Sequence, residues 1–273
     1  MNSTDIKTGD VLLFSNNTPT GFLLRTFTSS QWNHSGIAIR LIKREDPTQP
    51  FPWNHWTISL TSEGELFVLE TNTGAREDRV YQRHVVGAGF SSGDWVFRKY
   101  NNILHRALRD CFRTPALIKA IQKFCEGNYG NRFPSSSLPF LAVWLGVSLP
   151  KDESRKEMFC SELMANFYRE VIGVQYTTLT HQAYDGSLTA LFGSKAPPTA
   201  DLYNPGHYTV EATPDACIFV NEQQLLTVNG ADLLYVILQP LLIGLTVMII
   251  IYMSLPQEIH DRSNSMGGNP RGA

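Results

Sequence analysis

The sequence predicts an α+β fold in which an antiparallel sheet, or a small open barrel, packs against helices. Between residues 11 and 100, short apolar runs bounded by turn residues dominate, which is typical of strands. Beyond residue 102, apolar residues recur at helical spacing, most clearly around Cys160. With 273 residues, of which 42% are hydrophobic, the chain is long enough to bury a substantial core.

The strand with the clearest pattern covers residues 33–42, where apolar residues alternate from Ile37 onward. His34 stands at its start in either a structural or a catalytic role, and Gly36 lets another backbone approach closely. Glu70 shares a strand face with two apolar residues, so it is either an exposed strand end or a buried functional group. Further strands are predicted at residues 9–14, 56–60, 65–71, 80–86, 94–100 and 218–228, with 56–60 and 65–71 as a pair.

Helices are predicted at residues 102–111, 115–126 and 139–149, and around Cys160. A capping box of Ser154 and Glu157 would place Cys160 in the second turn of its helix. A start near Met158 would place it in the first turn, where the partial positive charge of the helix stabilises a thiolate. The alternative is a buried structural thiol, since free cysteine is among the most buried residue types.

Residues 233–255 form a nearly unbroken apolar run, longer than the roughly 20 residues that span a bilayer. The alternative is a buried core helix. The sequence therefore predicts a globular domain at 1–228, a linker and transmembrane helix at 229–255, and a short polar tail at 256–273. Because residues 1–10 lack the apolar core of a signal peptide, we expect a single-pass C-terminal anchor with the globular domain facing the cytosol.

Charge is unevenly distributed, although the formal net charge is only -2 and gives no argument for nucleic acid. Residues 98–132 carry eight basic side chains, Arg106 and Arg113 among them, against two acidic ones. Anionic headgroups attract such a surface. We therefore expect the cleft beside it to face the bilayer and to accept a lipid or acyl chain, the alternative being solvated charges and a peptide substrate.

Several common motifs are absent from the sequence. It contains no P-loop, HExxH or GxGxxG pattern, and its four cysteines lack metal-site spacing, so no metal or cofactor is implied. Residues 89–93 match G-x-S-x-G, the turn that presents a nucleophilic serine between a strand and a helix. Because strand-like residues follow this match, we interpret it as a hairpin loop.

A cysteine at a helix start, a histidine at a strand start and a glutamate on another strand can converge at one edge of a sheet. A thiol nucleophile needs a base within hydrogen-bond reach, and the base needs a polar group that orients it. Geometry and role define such a site, so its members occur in any chain order. Cys160, His34 and Glu70 are the candidates.

Four segments together resemble the circularly permuted papain-like hydrolases. They are Gly-Asp-Val-Leu-Leu-Phe at 9–14, His-Ser-Gly-Ile-Ala-Ile at 34–39, Val-Leu-Glu at 68–70 and Phe-Cys-Ser-Glu-Leu at 159–163. The resemblance is to the YiiX-like group of the NlpC-type superfamily, related to lecithin–retinol acyltransferase, in which the order is also histidine, acid, cysteine. The segments at 127–129 and 198–203 resemble two further motifs of this group.

The resemblance implies a cysteine hydrolase or acyltransferase that cleaves an amide or ester bond, and the apolar run at 233–255 would anchor it to a membrane. Cys160 would attack the carbonyl, His34 would transfer the proton, and Glu70 would orient His34. The backbone N–H of Cys160, with the Tyr129 hydroxyl, would stabilise the oxyanion. The alternatives are a cysteine peptidase or amidase acting on peptide bonds, and a non-catalytic membrane scaffold of the same fold.

Overall fold

The computed structural model describes residues 5–16, 18, 21, 25, 30–134, 156–174 and 218–226. The chain divides into two units, Met1–Val228 and Asn229–Ala273, and every described residue lies in the first. The predicted transmembrane run at 233–255, the polar tail and the predicted helix at 139–149 lie outside the described residues. Within the described ranges, no helix is both long enough and apolar enough to cross a bilayer.

The described residues form a sheet and three α-helices, followed here in chain order. They are β1 (Val11–Ser15), β2 (His34–Lys43), β3 (Trp56–Ser59), β4 (Glu65–Asp78), β5 (Arg83–Ser92), α1 (Gly93–Lys99), β6 (Asn102–Leu108), α2 (Pro115–Asn128), α3 (Cys160–Phe167) and β7 (Phe219–Leu226). A 3₁₀ turn at Asp110–Phe112 precedes α2, and a π-helical turn at Tyr168–Ile172 continues α3.

The strands pair antiparallel throughout, in the order β5-β4-β2-β1-β6-β7, with β3 also paired to β2. This order is that of an open sheet with β5 and β7 at its ends. The predicted α+β fold with an antiparallel sheet is therefore confirmed. The alternative of a small barrel is not what the described strands form.

The sheet separates two apolar cores. Val11 and Leu13 of β1 point into the larger core, which α2 and α3 cover, whereas Leu12 and Phe14 point into the smaller core. Val96 of α1 packs into this second core. Because β1 is buried on both faces, its sequence is a continuous apolar run without polar alternation.

Two element types predicted from the sequence are wrong. Residues 102–111 form strand β6 and a 3₁₀ turn, not a helix, because β6 is hydrogen-bonded between β1 and β7 and buries Ile103 and Leu104 in opposite cores. Residues 94–100 fall largely in helix α1, not a strand. The hydroxyl of Ser92 accepts a hydrogen bond from the backbone N–H of Trp95 at 3.4 Å and caps this helix.

Two strand predictions need smaller corrections. The predicted pair at 56–60 and 65–71 consists of real strands, but β3 and β4 each pair with β2. The strand predicted at 80–86 begins at Arg83 and runs to Ser92. Tertiary pairing, which a local pattern does not report, decides both points.

Arg106 and Arg113 do not belong to an exposed basic surface, which corrects the expectation from charge distribution. Both side chains are buried. Arg113 forms an ion pair with buried Asp10, which is also bonded to His105 at 2.7 Å, and the Arg106 guanidinium lies 4.8 Å from the ring centroid of Phe219. These charges are buried in contacts within the protein and are not available to lipid headgroups.

Gly36 sits where β2 and β4 approach closely. A Cβ at this position would lie 2.4 Å from Cγ1 of Val68 and 3.2 Å from the carbonyl oxygen of Leu69. We expect Gly36→Ala to lower the free energy of unfolding by about 1–3 kcal/mol, because the strands must move apart. Urea denaturation measures this change. The control is Gly127→Ala in α2, where a new Cβ meets no atom within 4 Å among the described residues; equal denaturation midpoints for the two variants would contradict the expectation.

Candidate active site

Cys160 is the first residue of α3, so the later of the two helix starts left open by the sequence is the one observed. The backbone N–H of Phe159 donates to Oε2 of Glu162 at 3.3 Å, which ties the helix start together. The sulfur lies at the positive end of the helix dipole, which favours a thiolate. The residue is only 5% exposed, so that thiolate would be largely shielded from water.

His34 is the first residue of β2, opposite Phe14 of β1. Its ring stacks on the ring of Tyr100 at a centroid distance of 5.5 Å and lies 5.7 Å from that of Phe14. Nε2 of His34 is 2.5 Å from Oε2 of Glu70. This pairing leaves Nδ1 as the ring nitrogen available to the thiol of Cys160, with which His34 shares a hydrogen bond.

Glu70 is fully buried in β4, in the part of the sheet where β2 and β5 flank it. Ile37 of β2 pairs with Leu69, and continuing this antiparallel register places Gly36 opposite Glu70. On the other side, Gly89 of β5 pairs with Glu70 directly. Because both neighbours lack side chains, the Glu70 carboxylate can reach partners two residues away on each adjacent strand.

The electrostatics of the three groups are coupled. Burial lowers the pKa of His34, but the charges of Cys160 and Glu70 and hydrogen bonds to both raise it to about 9. Burial raises the pKa of the Cys160 thiol, but the charge of His34 and hydrogen bonds with His34 and Ser35 bring it below its ordinary value. Burial likewise raises the pKa of Glu70, yet His34, Arg76 and Ser91 lower it to about 2. These shifts favour the charged form of each group: the Cys160 thiolate, the His34 imidazolium and the Glu70 carboxylate in series.

Sequence reasoning missed the groups that hold Glu70. Oε1 of Glu70 accepts hydrogen bonds from the Ser91 hydroxyl and from Nδ2 of Asn72, the latter at 3.1 Å. Nη2 of Arg76 donates to the Glu70 backbone carbonyl at 3.0 Å. The Asn72 and Arg76 contacts depend on an irregular register between β4 and β5, which no local pattern announces. Ser91 did carry a signal, because it is the serine of the G-x-S-x-G match.

The hairpin-loop interpretation of that match is wrong. Ser91 is a buried residue of β5 opposite Val68, and helix α1 begins two residues later. The match thus does lie between a strand and a helix, but the hydroxyl of Ser91 is directed to Glu70.

Tyr129 lies at the C-terminal end of α2, in a cluster of its own. Its hydroxyl accepts a hydrogen bond from Nε of Arg83 at 3.2 Å, and its ring is 3.7 Å from the ring of Tyr81. Its pKa is raised, mainly by burial and with a contribution from Asp78. The contacts of Tyr129 named above are with Arg83 and Tyr81, not with Cys160 or His34. The oxyanion role of Tyr129 stays a prediction.

Among the residues that the structure describes, no group of three or more His, Cys, Asp or Glu side chains is arranged to hold a metal ion.

No protein-family model matches the sequence. No curated protein matches it either. Among solved structures, the chain is similar to the crystal structure of the metalloprotein YiiX from Escherichia coli O157:H7, a DUF1105 protein. The identity is 13%, the match covers 83% of this chain and 99% of that chain, and the TM-score is 0.41.

Proposed function

We propose that this protein is a cysteine hydrolase or acyltransferase of the permuted papain-like type, acting on an amide or ester carbonyl. The observation that supports the proposal is the buried series Cys160–His34–Glu70, in which a helix start, a strand start and a strand interior each contribute one member. A nucleophile, a base within hydrogen-bond reach and an orienting carboxylate are what nucleophilic acyl transfer requires.

In the first half-reaction, the Cys160 thiolate attacks the carbonyl carbon. The negative charge moves to the carbonyl oxygen, where the backbone N–H of Cys160 can stabilise it, because the first N–H groups of a helix have no intrahelical partner. As the carbon–nitrogen or carbon–oxygen bond breaks, protonated His34 donates its proton to the leaving group. The products are a thioester on Cys160, the released amine or alcohol, and neutral His34.

In the second half-reaction, neutral His34 takes a proton from water or from an acceptor amine or alcohol, whose oxygen or nitrogen attacks the thioester. The carbon–sulfur bond breaks and restores the thiolate. Glu70 keeps Nε2 of His34 occupied at 2.5 Å, so that Nδ1 faces the reacting groups through both steps.

The proposal specifies the bond that is cleaved, an amide or an ester, and not the rest of the substrate. The expectation of a lipid substrate depended on a basic surface that included Arg106 and Arg113, and their burial removes that part of the argument. A bilayer anchor at residues 233–255, with the catalytic unit on the cytosolic side, remains part of the proposal. Acyl esters and peptide amides therefore both belong in the test.

An acyl-probe experiment on the complete chain tests the proposal. The protein is incubated with a p-nitrophenyl acyl ester and with a p-nitroanilide peptide, quenched in acid, and digested for mass spectrometry. We expect an acyl adduct on the Cys160 peptide that forms and disappears with turnover, because thioesters are intermediates of this chemistry. Cys125 is the internal control, since it is buried and burial raises its pKa. Acylation of exposed Cys111 at the rate of Cys160 would instead favour a non-catalytic scaffold.

A further inference from the structure

The segment Gly89–Gly93 has no part in the proposed reaction, although its sequence matches a nucleophile turn and it lies beside the site. We propose that Ser91 is a positioning residue that locks the carboxylate of Glu70 against His34, and that it acts on Cys160 through these two residues. This inference rests on the proposed function and names a further residue on which that function depends.

The inference rests on the fact that the two carboxylate oxygens of Glu70 have different hydrogen-bond partners. Oε2 is 2.5 Å from Nε2 of His34, whereas Oε1 accepts from the Ser91 hydroxyl and from Nδ2 of Asn72. A carboxylate held at both oxygens cannot rotate about its terminal torsion without losing a hydrogen bond. Ser91, together with Asn72, therefore sets the direction in which Oε2 faces the imidazole.

The sheet places Ser91 for this contact. Ser91 pairs with Val68, two residues before Glu70, so both side chains share one face of the sheet. Gly89, which pairs with Glu70, places no side chain between them, and a Cβ there would lie 3.0 Å from Oδ2 of Asp78. Ser91 and His34 thus reach Glu70 diagonally from opposite sides.

Other groups fix the backbone and the surroundings of Glu70 but leave the carboxylate direction to Ser91 and Asn72. Arg76 donates from Nη2 to the backbone carbonyl of Glu70, and its Nε lies 3.8 Å from Oε1. Lys99 adds a positive charge at longer range and donates to Oδ1 of Asn72 at 3.3 Å. From α3, Cys160 completes the set of charged groups that face His34.

Loss of the Ser91 hydroxyl should change the titration of the site. With one hydrogen bond fewer, Glu70 faces His34 less firmly, so the imidazolium is less stabilised and the pKa of His34 falls. The pH range in which the thiolate and the imidazolium coexist then has a lower upper limit. A role confined to folding would lower the amount of active protein without moving that limit.

The experiment measures the alkylation rate of Cys160 by iodoacetamide between pH 5 and pH 10, resolved by peptide with mass spectrometry. In the wild-type protein, the plot of alkylation rate against pH should show a step near pH 9, where His34 loses its proton. In Ser91→Ala we expect this step to move down by about one pH unit, a tenfold change in the protonation constant, in line with a hydrogen bond to a charged group. Ser91→Thr keeps the hydroxyl and should restore the wild-type position.

Thr71→Val is the matched control. Thr71 is buried next to Glu70 on β4, and its hydroxyl has no hydrogen-bond partner within the described part of the chain, so its removal should leave the step unchanged. If Ser91→Ala does not fold, Ser91→Cys is measured instead, because it fills a similar volume with a weaker donor and should move the step in the same direction.

Failure of the Ser91 inference can be distinguished from failure of the proposed function. If Glu70→Gln moves the step and Ser91→Ala does not, the positioning role of Ser91 is overturned while the proposed function stands. If Cys160 in the wild-type protein titrates as an ordinary thiol, the proposed function fails and the inference falls with it.

Discussion

Replacing Cys160 by alanine is expected to abolish turnover of any ester or amide that the wild-type protein cleaves. The reason is that no thioester can form without the sulfur; removal of the nucleophile from a serine protease costs roughly 10⁶-fold in kcat. Glu70→Gln should reduce turnover less, by roughly 10²- to 10⁴-fold, since His34 keeps its place in β2 and part of its orientation without the charge. Initial rates on the substrates identified with the acyl probe provide the measurement.

The matched control for this first prediction is Cys111→Ala, which removes an exposed thiol and should leave kcat within twofold of the wild-type value. Circular dichroism and the denaturation midpoint show whether each variant folds. Turnover that survives in folded Cys160→Ala would refute the assignment of the nucleophile. Turnover lost equally in both cysteine variants would show that the thiols matter for a reason other than covalent catalysis.

Between about pH 6 and pH 8, Cys160 is expected to be alkylated faster in the wild-type protein than in a variant that lacks the imidazolium of His34. His34 stays protonated up to its pKa of about 9, and its charge keeps the Cys160 thiol ionised below its ordinary pKa. At a given pH in this range, the thiolate fraction of Cys160 therefore exceeds that of the same thiol without the charge of His34. An ordinary thiol with a pKa near 8.5 is mostly protonated over this range and gains about tenfold in thiolate for each pH unit.

His34→Gln should return Cys160 to ordinary or weaker reactivity. At pH 6 a thiol of pKa 8.5 is only about 0.3% ionised, so the rate should fall, by up to roughly 300-fold where the wild-type thiol is fully ionised. Burial of the sulfur, now without a positive neighbour, can only increase that loss.

Peptide-resolved alkylation with iodoacetamide gives the rates for the His34 variant. His84→Gln, a substitution of an exposed histidine in β5, is the control and should keep the wild-type rates. Equal alkylation rates of Cys160 in the wild-type protein and in His34→Gln would contradict the ion pair.

Local patterns in the amino-acid sequence were enough to predict several elements of the fold. Alternation along residues 33–42, the short run at 9–14, and helical spacing after Pro115 and around Cys160 all correspond to observed elements, because each buries one continuous stripe or strand. The sequence also singled out Cys160, His34 and Glu70, which the structure brings into contact. Their catalytic role stays a prediction until the sulfur is tested.

The identity of neighbouring strands, and of the polar groups that meet, became clear only from the three-dimensional fold. Residues 102–108 match helical spacing, yet pairing with β1 and β7 makes them a strand, since a strand buried on both faces shows no alternation. Arg113 is basic in sequence but neutralised by Asp10, more than 100 residues away. Ser91 and Glu70 are likewise joined across two strands, 21 positions apart. Such contacts depend on register between distant segments, and hydrophobic periodicity within one segment carries no information about it.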